Sequence, residues 1–150
     1  MNGACIQGGS AIYRYVHDLL EAAARRDGSH PAVVCGSRTL TYSQLLRRSE
    51  QIGGLLLSRG VQKGDRVVLL LPHHVDMPAA VFAVSRIGAV FVILNPNLKD
   101  RTLRHILEDC RPSLIMTTRA ELKKRESLAE ASNVAAMEDL TGTYACDALP

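Results

Sequence analysis

The residues best suited to chemistry follow two short apolar runs. His73 and His74 come after the run VVLLL, and Asn95 and Pro96 come after VFVIL. Imidazole nitrogens can bind a metal or move a proton near neutral pH, and an Asn amide can bond a polar ligand. Adjacent histidines, however, point in different directions, unlike an i, i+4 metal pair, and strand-end Asn and Pro are ordinary turn residues. Solvated loops are therefore the favoured interpretation of both pairs.

Motifs that define a complete catalytic site are absent from the sequence. The phosphate loop G-x-x-x-x-G-K-[ST], the dinucleotide loop G-x-G-x-x-G, the elbow G-x-S-x-G and H-E-x-x-H do not occur. Cys5, Cys35, Cys110 and Cys146 form no C-x-x-C pair, and no His stands at zinc-ligand spacing from them. We therefore expect unpaired thiols in a reducing compartment, and we predict no catalytic residue and no metal ligand.

The composition is that of a soluble globular protein. Of the 150 residues, 47% are hydrophobic and 22% charged, and 18 Lys and Arg against 15 Asp and Glu give a net charge of +3. Acids interrupt the basic stretch at 99–125, so no nucleic-acid surface is predicted. The chain lacks a secretory leader pattern and any run of about 18 apolar residues, so we expect a cytoplasmic protein without a transmembrane segment.

The elements that must position the two loops alternate between strands and helices. Two apolar runs, at 67–71 and 90–94, are too short for helices and too uniformly apolar for strands with one wet face, and 113–117 is a weaker third instance. Such runs are typical of parallel strands covered on both sides. Helical patterns lie between them, near 76–86 and 103–110. We therefore predict an α/β fold of the Rossmann-like, three-layer type, with a parallel sheet and helices on both faces.

Other elements are predicted before and after this core. An amphipathic helix begins near residue 12, and a Gly-Ser pair indicates a hairpin turn. Thr41 and Gln44 form the pattern of a capping box for a second helix that ends at Gly60. A charged surface helix is expected over 119–131.

We divide the chain into three parts. Residues 1–11 are a flexible N-terminus, and 12–118 form the main α/β unit. Residues 119–150 are a surface helix and an irregular tail, with a short strand near 134–137, in a domain that is incomplete at Pro150.

Four segments resemble motifs of the adenylate-forming enzymes. They are LTYSQL, similar to L-T-Y-x-E-L; GDRVVLLLP, similar to G-D-R-V-x-x-x-L-P; RIGAVFVILNP, similar to K/R-x-G-A-x-x-x-P-L/I-x-P; and LRHILED, similar to L-x-x-I-L-x-D. They occur in the family's order over about residues 12–118. The chain is thereby identified as a member of the superfamily of acyl-CoA synthetases, aryl-CoA ligases, peptide-synthetase adenylation domains and luciferases.

The resemblance implies a ligase that works in two steps. A carboxylate attacks the α-phosphate of ATP, giving an acyl-adenylate and pyrophosphate, and a thiol then takes the acyl group. It implies Mg²⁺ at the phosphates, and CoA or the phosphopantetheine of a carrier protein as the thiol. Asn95-Pro96 resembles acyl-CoA ligases more than the Asp-Pro of peptide-synthetase domains, which favours CoA. By this analogy Asn95 and Pro96 lie in a loop on the CoA side and are the candidate site residues.

The chain also departs from the family pattern. Ile93 stands where the family often has Pro, and Pro78 enters a helix that usually lacks it. The family's phosphate loop, adenine-binding segment, ribose-binding Asp and catalytic Lys would all lie after Pro150. We therefore expect an N-terminal fragment without adenylation activity of its own. Two alternatives stay open: a fragment of a peptide-synthetase adenylation domain that loads a carrier protein, and a non-catalytic Rossmann-like binding or interaction module.

Overall fold

The computed structural model describes residues 13–72 and 74–140, apart from the side chain of Leu140. Helices and strands alternate along this part of the chain. Their bounds are α1 Val16–Asp27, β1 Pro31–Cys35, β2 Arg38–Thr41, α2 Tyr42–Ser58, β3 Arg66–Leu69, α3 Met77–Arg86, β4 Val90–Ile93, α4 Asp100–Cys110, β5 Leu114–Thr117, α5 Arg119–Lys124, α6 Glu126–Ala129, β6 Val134–Ala136 and α7 Met137–Leu140. The predicted α/β fold class is confirmed. The terminus at 1–11 lies outside the described residues.

Within the described residues, four strands form a parallel sheet in the order β4-β3-β5-β6. β3 lies inside the sheet, where Val68 is paired with Val92 on one side and Ile115 on the other. β6 pairs with β5, which confirms the short strand predicted near residue 134. β3 and β5 are buried along nearly their whole length. Their uniformly apolar sequences are explained by this position.

Side chains of the inner strands alternate between two apolar layers. Val67 of β3 belongs to a core cluster with Ile52 of α2 and other residues of α2 and α3. The next residue, Val68, belongs to a second cluster with Leu103 of α4 and Leu128 of α6. Since successive strand residues point to opposite faces, both faces must be covered. The three-layer arrangement predicted from the sequence is therefore present.

The hairpin predicted before α2 is a separate two-stranded antiparallel sheet of β1 and β2. Its turn contains Gly36, whose φ of 62° is in the left-handed region that favours glycine. Gly60, just past the end of α2, has φ of 83°, as predicted for a helix terminus. Local sequence signals therefore located both turns.

The capping box predicted for α2 is present. Thr41 Oγ1 accepts a hydrogen bond from the Gln44 amide at 3.3 Å, and Gln44 Oε1 accepts one from the Thr41 amide at 2.9 Å. We expect Thr41→Ala to lower the free energy of unfolding by about 1 kcal/mol, because an amide in the first turn loses its acceptor. Urea denaturation followed by circular dichroism measures this change. Thr102→Ala, at an exposed position in α4, is the matched control. An unchanged midpoint for Thr41→Ala would contradict the role of this cap.

The segment 119–131 is helical, as predicted, but it is neither one continuous helix nor wholly on the surface. The segment forms two short helices, α5 and α6, separated at Arg125, whose φ of −125° and ψ of 113° are extended. It also contributes to the interior, since Glu121, Ser127 and Leu128 are buried. The charge pattern of this segment predicted a solvated helix. In the structure, however, some of its acidic and basic side chains pair with each other at the edge of the sheet. A sequence pattern of charges does not distinguish these two arrangements.

Two helix boundaries differ by a few residues from prediction. α1 begins at Val16, and residue 12 lies outside the described residues. α3 begins at Met77, with Asp76 at its N-cap and Pro78 in its first turn, where proline is tolerated. None of the described helices has the length and hydropathy that a membrane span requires.

Candidate active-site cleft

A cleft of about 740 Å³ opens at the carboxyl edge of the parallel sheet. Pro72 follows β3, Pro96 follows β4, Thr118 follows β5 and Glu138 follows β6, so every strand of the sheet contributes to this cleft. Its lining residues are Pro72, Pro96, Asn97, Asp100, Thr118, Ala120, Glu121, Lys124, Arg125 and Glu138. In open α/β sheets, the crevice beyond the carboxyl ends of the strands is where ligands bind. The cleft is therefore the candidate active-site surface of this chain.

The structure separates the two site residues proposed from the sequence. Pro96 lines the cleft, whereas Asn95 is not among the lining residues. The Asn95 side-chain oxygen instead accepts a hydrogen bond from the Asn97 amide at 2.8 Å. This geometry is an Asx turn, which is the ordinary role of Asn after a strand. Asn97, two residues on, reaches the cleft.

Glu121 is the buried charged residue of the cleft. Its side chain is 8% exposed, and Glu121 Oε2 accepts a hydrogen bond from Arg125 Nε at 2.8 Å. Lys124 Nζ lies 3.4 Å from Glu121 Oε1 and is well exposed. The Glu121 amide donates to Thr118 Oγ1 at 3.2 Å, which caps α5. These residues were not singled out from the sequence, although Glu121 and Arg125 are spaced i, i+4, a spacing that brings opposite charges together on a helix.

The Arg125 guanidinium holds the pKa of Glu121 below its ordinary value of 4.5, against the opposing effect of burial. The pKa of this carboxyl is lower in the folded chain than in the unfolded chain. Such a carboxyl stabilises the folded state at pH values above its ordinary pKa, and this stabilisation is lost as the pH falls. We expect the stability difference between the wild type and Glu121→Gln to shrink between about pH 6.5 and pH 3.5.

Urea denaturation at both pH values measures that difference. Glu126→Gln, which changes an exposed carboxyl at the start of α6, is the control and should show a small difference at both pH values. A Glu121→Gln difference that stays constant with pH would contradict the assignment of this carboxylate as ionised and paired.

The other acids of the cleft also have donors. Asp100 Oδ1 accepts from Ser127 Oγ at 2.6 Å, and Glu138 Oε2 accepts from the Arg119 amide at 3.1 Å. Within the part of the chain that the structure describes, no group of three or more His, Cys, Asp and Glu side chains could hold a metal ion.

The histidine loop is organised by a buried ion pair. His73 lies outside the described residues. His74 Nδ1 accepts from the Asp76 amide at 3.2 Å and is not among the residues that line the cleft. The Asp76 carboxylate is paired with Arg48 of α2, whose Nη2 donates to Asp76 Oδ2 at 2.7 Å and whose Nε contacts Oδ1. The described part of this loop therefore contributes Pro72 to the cleft and an anchoring contact to α2.

Three residues of the family motifs, Gly64, Arg86 and Gly88, lie at the opposite end of the sheet. The Gly64 amide, before β3, donates to the Gly88 carbonyl, before β4, at 2.9 Å. Gly88 has φ of 76°, which a side chain would strain. Arg86 is paired with Glu21 of α1 and, at 3.1 Å, with Glu50 of α2. These three residues therefore stabilise the fold, while Pro72 and Pro96 of the same motifs line the cleft.

Two cysteines lie within the described residues, Cys35 in β1 and Cys110 in α4, and neither lines the cleft. Burial raises the pKa of the Cys110 thiol, which disfavours the reactive thiolate. Cys5 and Cys146 lie outside the described residues.

Comparisons with known proteins agree on one family. The model of the AMP-binding enzyme family matches residues 20–149. The long-chain-fatty-acid–CoA ligase of Salmonella typhimurium is 32% identical over 123 residues, which cover 81% of this chain and 22% of the ligase. Across the curated relatives compared, the chain spans 2% to 22% of their length.

Solved structures share the fold. VinN in complex with 3-methylaspartate matches with a TM-score of 0.76 and 30% identity, covering 85% of this chain and 36% of that chain. The o-succinylbenzoate CoA synthetase MenE of Bacillus subtilis, in complex with ATP and magnesium ion, matches with a TM-score of 0.74 and 25% identity, covering 81% and 33%. Since the family model matches most of the residues, this chain belongs to the AMP-binding family of adenylate-forming enzymes.

Proposed function

We propose that this chain is the N-terminal part of a ligase that activates a carboxylic acid with ATP and then transfers the acyl group to CoA. Membership of the AMP-binding family supports the first step. The observation that supports the second is the cleft at the carboxyl edge of the sheet, which Pro96 lines. Pro96 belongs to the Asn-Pro pair that resembles acyl-CoA ligases.

The cleft offers polar and charged side chains to a ligand, among them Asn97 and Lys124. Asn95 shapes the turn, and Asn97 lines the cleft beside it. The Lys124 ammonium is 68% exposed and supplies a cation that could meet an anionic group at the mouth. We assign this surface to the thiol acceptor of the second step. Asn95 thus acts by shaping the loop, whereas Pro96 and Asn97 face the acceptor.

The described residues do not fit ATP and Mg²⁺. Stabilising phosphates takes preorganised cations and backbone amides, and Mg²⁺ takes carboxylate oxygens. The acids that line the cleft already accept hydrogen bonds from groups of this chain. We therefore propose that other residues of a complete ligase bind the nucleotide, and that the 150-residue chain does not form an acyl-adenylate. The cytoplasmic location stays a prediction.

ATP–pyrophosphate exchange with a panel of carboxylic acids tests the first step. The two samples are the 150-residue chain and the product of the complete reading frame that encodes it. We expect acid-dependent exchange from the longer product and background exchange from the 150-residue chain. Exchange by the 150-residue chain would overturn its proposed inactivity. A longer product that is inactive with every acid would instead support a non-catalytic binding module.

Product analysis identifies the acceptor. With an acid that supports exchange, we expect mass spectrometry to detect acyl-CoA after CoA is added. Acylation of a phosphopantetheinylated carrier protein without formation of acyl-CoA would overturn the CoA assignment and support a peptide-synthetase adenylation domain.

A further inference from the structure

The Arg125 guanidinium connects α5 with the loop between β4 and α4, and both segments line the cleft. Its Nε donates to Glu121 of α5, and its Nη1 donates to the Leu98 carbonyl at 2.8 Å. Its Nη2 donates to the Pro96 carbonyl. The Arg125 side chain is only 11% exposed, so these contacts are largely shielded from water. Three of its nitrogens are thus used by the chain itself.

The two carbonyls belong to the loop between β4 and α4, which contains the candidate site residue Pro96. The loop has few contacts of its own: the Asn97 amide bonds the Asn95 side chain, and the Leu98 amide donates to the Asn95 carbonyl at 3.2 Å. These bonds define the turn. At the two ends of the loop, the Leu94 amide donates to the Leu69 carbonyl at 3.0 Å and Asp100 accepts from Ser127. Arg125 attaches the middle of the loop, at Pro96 and Leu98.

On the side of α5, the hydrogen bonds of Arg125 lead to the residue that follows β5. Glu121, which orients the guanidinium, is held through its amide by Thr118, the residue after β5. The backbone leaves helical geometry at Arg125, between α5 and α6, where this side chain reaches the loop. A guanidinium offers several N–H donors in a fixed planar fork, which suits one acid and two carbonyls.

We propose that Arg125 is a positioning residue that fixes the β4–α4 loop across the cleft and so sets the shape of the surface on which the acyl acceptor binds. The ligand part of this proposal rests on the proposed function. The geometric part does not, because it concerns only contacts within the chain. A lysine would keep the charge beside Glu121 but has one nitrogen for three acceptors.

Amide hydrogen exchange in the 150-residue chain tests the geometric part. In Arg125→Ala and Arg125→Lys, we expect exchange at Asn97 and Leu98 to be at least about tenfold faster, with amides of α2 unchanged. Lys123→Ala, which removes an exposed cation from α5 two residues before Arg125, is the matched control. If Arg125→Ala does not fold, the exchange rates in Arg125→Lys decide whether Arg125 positions the loop. The proposal would be overturned if the loop amides of Arg125→Lys were as well protected as those of the wild type. It would also be overturned if exchange became faster throughout the chain.

Titration with CoA, followed by calorimetry, tests the ligand part with the complete protein. We expect Arg125→Lys to weaken binding about tenfold and Lys123→Ala to leave it unchanged. Binding equal to the wild type despite a loosened loop would overturn the link between the loop and the acceptor. Failure of the wild-type protein to bind CoA would contradict the CoA assignment, while the exchange result would still decide whether Arg125 positions the loop.

Discussion

Asp76→Ala should lower the free energy of unfolding by about 3–5 kcal/mol. The Asp76 side chain is 1% exposed, and the side chain of its partner, Arg48, is 13% exposed. Removing the acid alone leaves a guanidinium charge in the interior without a partner, and this costs much more than the loss of a surface ion pair. Urea denaturation followed by circular dichroism gives the difference directly.

Two further variants test whether the effect comes from the buried charge. Arg48→Met in the Asp76→Ala background removes that charge, so the double variant should be more stable than Asp76→Ala alone. Glu130→Ala breaks the exposed pair of Glu130 with Arg104, and it should cost no more than about 1 kcal/mol. A loss at Asp76 no larger than the loss at Glu130 would contradict the assignment.

Leu103→Ala should lower the free energy of unfolding by about 2–5 kcal/mol. Leu103 is fully buried and is the buried residue of α4, where it belongs to a core cluster with Val68, Ile115 and Leu128. Truncation removes apolar contacts and leaves a cavity under the helix. We also expect the Thr102 amide, which donates to the Lys99 carbonyl at 3.0 Å, to exchange faster in this variant because α4 is less firmly packed.

Leu57→Ala is the matched control for Leu103→Ala. The Leu57 side chain is 55% exposed on α2, so its truncation should change stability by about 0.5 kcal/mol or less. Equal losses at the two positions would show that α4 is not held by the core contact of Leu103. Both variants are measured by the same urea denaturation.

Much of the fold could be predicted because its signals are local. A buried parallel strand is a short apolar run, and the helix start at Thr41 is recognisable from Gln44, three residues away. The segment after β5 shows the limit of such signals. Its charges are compatible with a solvated helix and with the observed pairing of Glu121 and Arg125, so composition alone could not decide between them.

The candidate site was less predictable than the fold. Asn95 and Pro96 were selected by resemblance, and only Pro96 is among the residues that line the cleft. Arg125 reaches the Pro96 carbonyl from 29 positions away in the chain. No periodicity relates two such residues, since their contact depends on the order of the strands and on the break between α5 and α6.

The sequence by itself determined the alternation of strands and helices, the helix cap at Thr41 and the family to which this chain belongs. Each of these features depends on short segments of neighbouring residues. The family motifs could not show which of their residues stabilise the fold and which line the cleft: Gly64, Arg86 and Gly88 stabilise the amino end of the sheet, whereas Pro72 and Pro96 line the cleft. Only the tertiary structure decided what lines the cleft at the other end. Parallel pairing brings the ends of β3, β4, β5 and β6 together, and the side chains that meet there come from segments far apart in the chain.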